Sequence, residues 1–97
     1  MIEGKAVTLG GREFVVPPVA FAIMRKHADV FNGKTTPDIT VMGDIVFSAI
    51  SRNYPDITQD EFEASYLDIG NMKDAFNAAM RASGAEAASG EATPGSQ

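Results

Sequence analysis

A mainly α-helical domain, entered through a short N-terminal β-hairpin and left through a disordered tail, is the fold class that the sequence predicts. Three observations lead there. Two short runs with strand-like alternation flank Gly10-Gly11, and four later stretches repeat apolar residues at three- to four-residue spacing. The last thirteen residues, AEAASGEATPGSQ, contain no aromatic or branched aliphatic side chain. Such a segment buries too little apolar surface to offset its ordering entropy, so 85–97 is expected to be a disordered tail behind a domain of residues 1–84.

The hairpin comes first. Lys5–Leu9 and Arg12–Val16 are joined by two glycines, which suit the primed turns that match strand twist. That register sets Val7 opposite Phe14, with Leu9 and Val16 on the same face. Ala6, Thr8, Glu13 and Val15 point the other way. A lone hairpin is marginal in water, so its apolar face needs a helical cover.

Pro17-Pro18 closes the second strand and suits a helix start, because proline at the first helical position forfeits no needed donor. Val19, Ile23, Met24, His27, Val30 and Phe31 then form one face of a first helix, which Asn32-Gly33 stops. Thr36-Pro37-Asp38 opens a second helix, expected over residues 37–53, with Ile39, Met42, Ile45, Val46, Ala49 and Ile50 inward. Tyr54-Pro55 breaks it. Thr58 and Glu61 have capping-box spacing, and Phe62, Tyr66 and Ile69 continue as one stripe. Gly70-Asn71 interrupts, Asn71 acts as the next N-cap with Asp74 three residues on, and Met72, Phe76, Ala79 and Met80 form the last stripe before a glycine stop at Gly84.

Composition narrows the function classes. Eight basic residues face thirteen acidic ones, for a net charge of −5, a poor basis for binding phosphate backbones or anionic membranes. The absence of cysteine excludes disulfides and thiolate metal sites and is consistent with a reducing compartment. The amino terminus has no signal-peptide core, and no apolar run reaches membrane-spanning length, so a soluble cytoplasmic protein is expected.

Motifs for chemistry are weak. Gly33-Lys34-Thr35 resembles the end of a phosphate-binding loop, but position 28 holds Ala28 rather than glycine and a helix precedes it rather than a strand. His27, the single histidine, has no orienting carboxylate on its own helical side and no ligand set for zinc. Asp56, Asp60, Glu61, Glu63 and Asp68 mostly sit where a helix N-terminus already favours negative charge, and they lack the alternation of a calcium loop. Gly10-Gly11 lacks the rest of a dinucleotide fingerprint, and Ser48, Ser51, Ser65 and Ser83 sit in no nucleophile elbow. No catalytic residue, cofactor or metal ligand is assigned.

The apolar stripes say more. Met24, Met42, Met72 and Met80 share helices with Phe31, Phe47, Phe62 and Phe76. Methionine-rich helical faces adapt to varied partners, although a methionine at helical spacing is more commonly core. Four amphipathic helices in so short a chain present more apolar face than one small core requires.

In order along the chain, these features resemble the tail assembly chaperones of long-tailed bacteriophages and prophages. The residues that carry the resemblance are LGGREFVVPP at 9–18, a helix with an Asn-Gly stop, and SRNYPDIT at 51–58. EFEASYLDIGN at 61–71 and FNAAMRASG at 76–84 follow. The resemblance implies a non-enzymatic factor that binds the tape-measure protein, keeps it soluble and helps bring tail-tube subunits to it. It further implies self-association, residence in the cytoplasm of the bacterial host and absence from the finished virion. A longer frameshifted form recruiting tube protein is also implied, for which 85–97 would serve as linker. On that reading Phe62, Tyr66, Met72, Phe76 and Met80 are the expected partner-binding residues, acting by helix-in-groove recognition. A small structural tail or head-completion protein retained in the virion is the principal alternative. A regulatory, antitoxin-like module fits the acidic balance less well.

Overall fold

The computed structural model describes residues 1–84; the segment 85–97, and with it the expected tail, lies outside the described residues. The mainly helical fold behind a two-stranded antiparallel hairpin is present. Strands β1 (Lys5–Leu9) and β2 (Arg12–Val16) pair with Val7 opposite Phe14. Gly10 and Gly11 both hold positive φ, 58° and 80°, as a type I′ turn demands. Leu9, Phe14 and Val16 are buried with Val7 half-buried beside them, while Ala6, Thr8 and Glu13 are exposed.

Between the hairpin and the next long helix the chain departs from the expected single helix. Residues 17–20 stay extended, so the prolines precede the helix rather than open it. Two short helices follow, α1 (Phe21–Lys26) and α2 (Ala28–Phe31), separated at His27, whose φ of −117° and ψ of 41° lie outside helical geometry. Neither contains a fully buried residue, and short helices in water depend on tertiary packing for their continuity. The stop is as expected: Gly33 is left-handed at φ 76°, and the Lys34 N–H returns to the Asp29 carbonyl.

Helix α3 (Ile39–Ile50) is shorter at both ends than residues 37–53. Asp38 caps it by accepting from the Val41 N–H at 2.9 Å, and turns occupy 51–53. It buries Gly43, Ile45, Val46, Ala49 and Ile50. Helix α4 (Gln59–Ser65) is capped by Thr58, whose Oγ1 accepts from the Glu61 N–H at 3.0 Å.

The reciprocal capping box forms one element later. Asp68 accepts from the Asn71 N–H, and the Asn71 side chain accepts from the Asp68 N–H, both at 2.8 Å, opening α5 (Ile69–Ala82). The expected break at Gly70-Asn71 is therefore displaced: Asn71 is the third helical residue, not the cap. Asp68 prevails because its carboxylate satisfies an orphan amide while Asn71 both completes the box and donates to the Tyr66 carbonyl at 2.9 Å. Gly84, φ 80°, lies just past the end as expected.

Helix α5 packs against both strands and against α3. Its buried face is small, Ala75, Ala78 and Ala79, which lets the helix approach the strands closely. Phe14 fills the centre, with ring edges meeting Tyr54 at 5.0 Å, Tyr66 at 5.2 Å and Phe62 at 5.9 Å between centroids. The Arg12 guanidinium lies over the Phe14 ring at 4.8 Å and within 6 Å of Tyr54 and Tyr66. Side chains tie the loops down. Asn53 donates to the carbonyls of Ile2 and Val15 and accepts from the Ile2 N–H, and Tyr54 Oη accepts from the Val15 N–H at 2.9 Å. Ser83 Oγ accepts from the Val19 N–H, fixing the extended 17–20 segment to the end of α5.

Candidate docking surface

Three of the hydroxyls singled out above are engaged with backbone, whereas His27, Asp29, Thr35 and Asp38 line one cavity of about 410 Å³ with Arg25 and Lys26. The hydroxyls of Ser48, Ser51 and Ser83 donate to the carbonyls of Ile45, Ser48 and Ala79. His27 is half-buried at the α1–α2 junction, and Gly33-Lys34-Thr35 follows a helix end. Among the described residues no group of three or more His, Cys, Asp or Glu side chains converges as a metal site, and none of their helices is long and apolar enough to cross a membrane.

The five residues expected to bind a partner do not share one fate. Phe62 is fully enclosed, edge-on to Phe14 and tilted against Phe47 and Tyr66, and presents nothing to a partner. Its place in the expected surface must be corrected: the short α4 turns its one large aromatic directly onto the hairpin. Tyr66 is half-buried at the C-terminus of α4, its hydroxyl accepting from Arg12 Nη1 at 3.5 Å. Met72, Phe76 and Met80 are half-buried at four-residue intervals and form one ridge along α5, beside the alanine face that meets the core.

At its N-terminal end the ridge runs into a cleft of about 270 Å³ between α3, α4 and α5. Such a volume is below the roughly 300–1,000 Å³ usual for small-molecule pockets, and suits protein side chains better. Gly43 lies on the α3 side of the cleft, where a Cβ would stand 3.6 Å from Met72 Cε. Leu67 and Met72 contribute apolar wall, and Ile39 and Ile69, 50% and 81% exposed, form its rim. Asp44, Glu63 and Asp68 supply charge of one sign, and no lysine or arginine lines the cleft. Gln59 Nε2 donates to Asp44 Oδ1 at 3.2 Å and Glu63 Oε2 at 2.9 Å, so these carboxylates are organised by a neutral amide.

Ile39 was expected to face inward and Ile69 to continue the Phe62–Tyr66 stripe, and the structure turns both outward. Each is the first residue of its helix, where Cα–Cβ bonds tilt toward the N-terminus and carry the side chain past the packed layer. Phe21, first residue of α1 and 68% exposed, repeats the pattern at another place. It borders a concavity of about 420 Å³ with Met24, Arg25, Ala28 and Phe31, adjoining Ser83 and Gly84 at the end of α5.

Comparison with family models, characterised proteins and solved structures gives no match.

Proposed function

We propose that this chain is a non-enzymatic assembly chaperone of the tail assembly class that its sequence resembles. On this reading it covers an apolar helical stretch of the tape-measure protein, keeps that protein soluble in the host cytoplasm, and helps recruit tail-tube subunits before leaving the assembled tail. The observation that carries the proposal is the ridge of Met72, Phe76 and Met80 on α5, which stays half-exposed although Met72 and Phe76 also pack against the core. An amphipathic partner helix recognises such a ridge through anchors at three- to four-residue spacing, and methionine adapts to varied anchors. Tyr66 borders the start of the ridge, and the Ile39–Ile69 cleft extends it.

The test is co-expression with the tape-measure protein, comparing its soluble yield and co-purification with and without this chain. A stable complex and rescued solubility are expected, and Met80→Asp in a folded chain should weaken both. Failure of a folded wild-type chain to do either, or its retention in purified virions, would transfer the assignment to a structural tail or head-completion protein.

A further inference from the structure

We propose that the outer edge of β1 takes up an extended peptide as an added strand, with a basic side chain at one end of the bound segment and an acidic one at the other. The Val15 N–H donates to Tyr54 Oη and the Val15 carbonyl accepts from Asn53 Nδ2, so both peptide groups of Val15 point away from β1. Residues opposite each other in an antiparallel pair share that phase. Ala6, which faces Val15, therefore turns its own N–H and carbonyl outward, and Thr8 does the same two residues on. Among the described residues none of these four groups has a partner. Beside them runs a groove of about 370 Å³, walled by Lys5, Val7 and Thr8 on the strand and by Asp74, Asn77 and Arg81 on α5. At 3.6 residues per turn, that flank of α5 lies across the alanine face from the ridge of Met72, Phe76 and Met80. The strand site and the client-binding reading are thus separate surfaces, and neither depends on the other.

Direction and charge define the occupant. The hairpin turn abuts the residues just ahead of α5, since a Cβ on Gly10 would stand 2.7 Å from the Ser65 carbonyl oxygen. The open end of the hairpin leads to Val19, whose N–H donates to Ser83 Oγ just past the other end of α5. β1 therefore runs opposite to α5, which sets Lys5 toward the Arg81 end of the groove and Thr8 toward the Asp74 end. Lys5, Val7 and Leu9 share the inner face of the strand, and side chains opposite one another point to the same face. A peptide antiparallel to β1 then places a basic side chain beside Asp74, an apolar one beside the half-buried Val7 and an acidic one beside Lys5. Backbone bonds supply the attachment, and the two charges fix register and direction.

The probe is the capped peptide Thr-Lys-Thr-Val-Thr-Glu-Thr, titrated into the isotope-labelled full chain while backbone amides are followed by magnetic resonance. The amides of Ala6 and Thr8 should shift, and their hydrogen exchange should slow about tenfold once the edge is about nine-tenths occupied. N-methylation of the two threonines that flank valine should abolish both effects, because their amides are the ones that meet β1. The charge-reversed peptide, with Glu and Lys exchanged, should bind several-fold more weakly. Lys5→Glu combined with Asp74→Lys, both at exposed positions, should invert that preference. Unmoved Ala6 and Thr8 amides at about 1 mM peptide, where weak specific contacts already register, would overturn the proposal. So would equal binding by the N-methylated or the charge-reversed peptide. Edge signals that move with the concentration of the chain alone would assign the edge to a second copy and overturn it as well. None of these failures touches tape-measure binding through the opposite flank of α5.

Discussion

Replacing Phe14 with alanine is the sharpest perturbation of the folded state. Its side chain is fully buried and its ring meets three other aromatic rings edge-on at 5.0–5.9 Å. Truncating a buried phenylalanine costs about 3–5 kcal/mol in transfer and cavity terms. Aromatic pairs contribute roughly 0.5–1.5 kcal/mol each beyond area burial, which puts this site at the upper end, about 5 kcal/mol. Domains are stable by about 0.05–0.15 kcal/mol per residue, or roughly 4–13 kcal/mol over residues 1–84. The substitution therefore removes between about two fifths of the stability and all of it. In urea, with a slope near 1 kcal/mol/M for a chain this small, the midpoint should fall by several molar, or no folded baseline should survive. Phe14→Leu keeps an apolar filler and should cost less than half as much. Equal losses for the two variants, or an alanine loss under about 1.5 kcal/mol, would refute the view that these rings organise the core.

Three further outcomes are expected. Gly43→Ala should stabilise by about 1 kcal/mol, since helix propensity favours alanine and the new Cβ meets Met72 Cε at an ordinary 3.6 Å; a lowered melting temperature would contradict this. Gly11→Ala should cost about 1 kcal/mol from its positive φ alone, and Gly10→Ala more, because its Cβ would also stand 2.7 Å from the Ser65 carbonyl oxygen; thermal melts rank the pair. Asn53→Ala removes hydrogen bonds to Ile2 and Val15 and should cost about 2 kcal/mol, with amide exchange accelerated at Ile2; unchanged exchange there would show that the bonds hold nothing.

The parts of this fold that could be read from sequence are those governed by neighbours along the chain. Gly10-Gly11 with alternation on either side specifies the hairpin and its register, since only one phase puts Leu9, Phe14 and Val16 on one face. Thr58, Asn32-Gly33 and Gly84 punctuate helices as their chemistry dictates. Which apolar residues face out was not legible in the same way. Moving the start of α5 from Asn71 back to Asp68 changes the phase of everything near it, and Ile69 passes from the Phe62–Tyr66 stripe to the cleft rim. Phe62 and Ile69 are alike in hydrophobicity, yet one is enclosed and the other 81% exposed. Caps decide between them, and caps compete by fractions of a kcal/mol that spacing rules do not resolve. The break at His27 had no local signal: α1 and α2 touch the core only through the partly buried Ile23, Val30 and Phe31 and hold no fully buried residue.

The side chains of Asn53 and Tyr54 have a consequence for how this molecule can be approached. Both peptide groups of Val15 are engaged by them, the N–H by Tyr54 and the carbonyl by Asn53, and Asn53 also reads both peptide groups of Ile2. A two-stranded sheet ordinarily leaves its outer strand as a template on which foreign strands can extend. Here a loop imitates the missing third strand with an amide and a phenol, and at Val15 the template is already taken. Strand addition along β2, the usual route by which small sheets recruit peptides or nucleate fibrils, is closed at Val15.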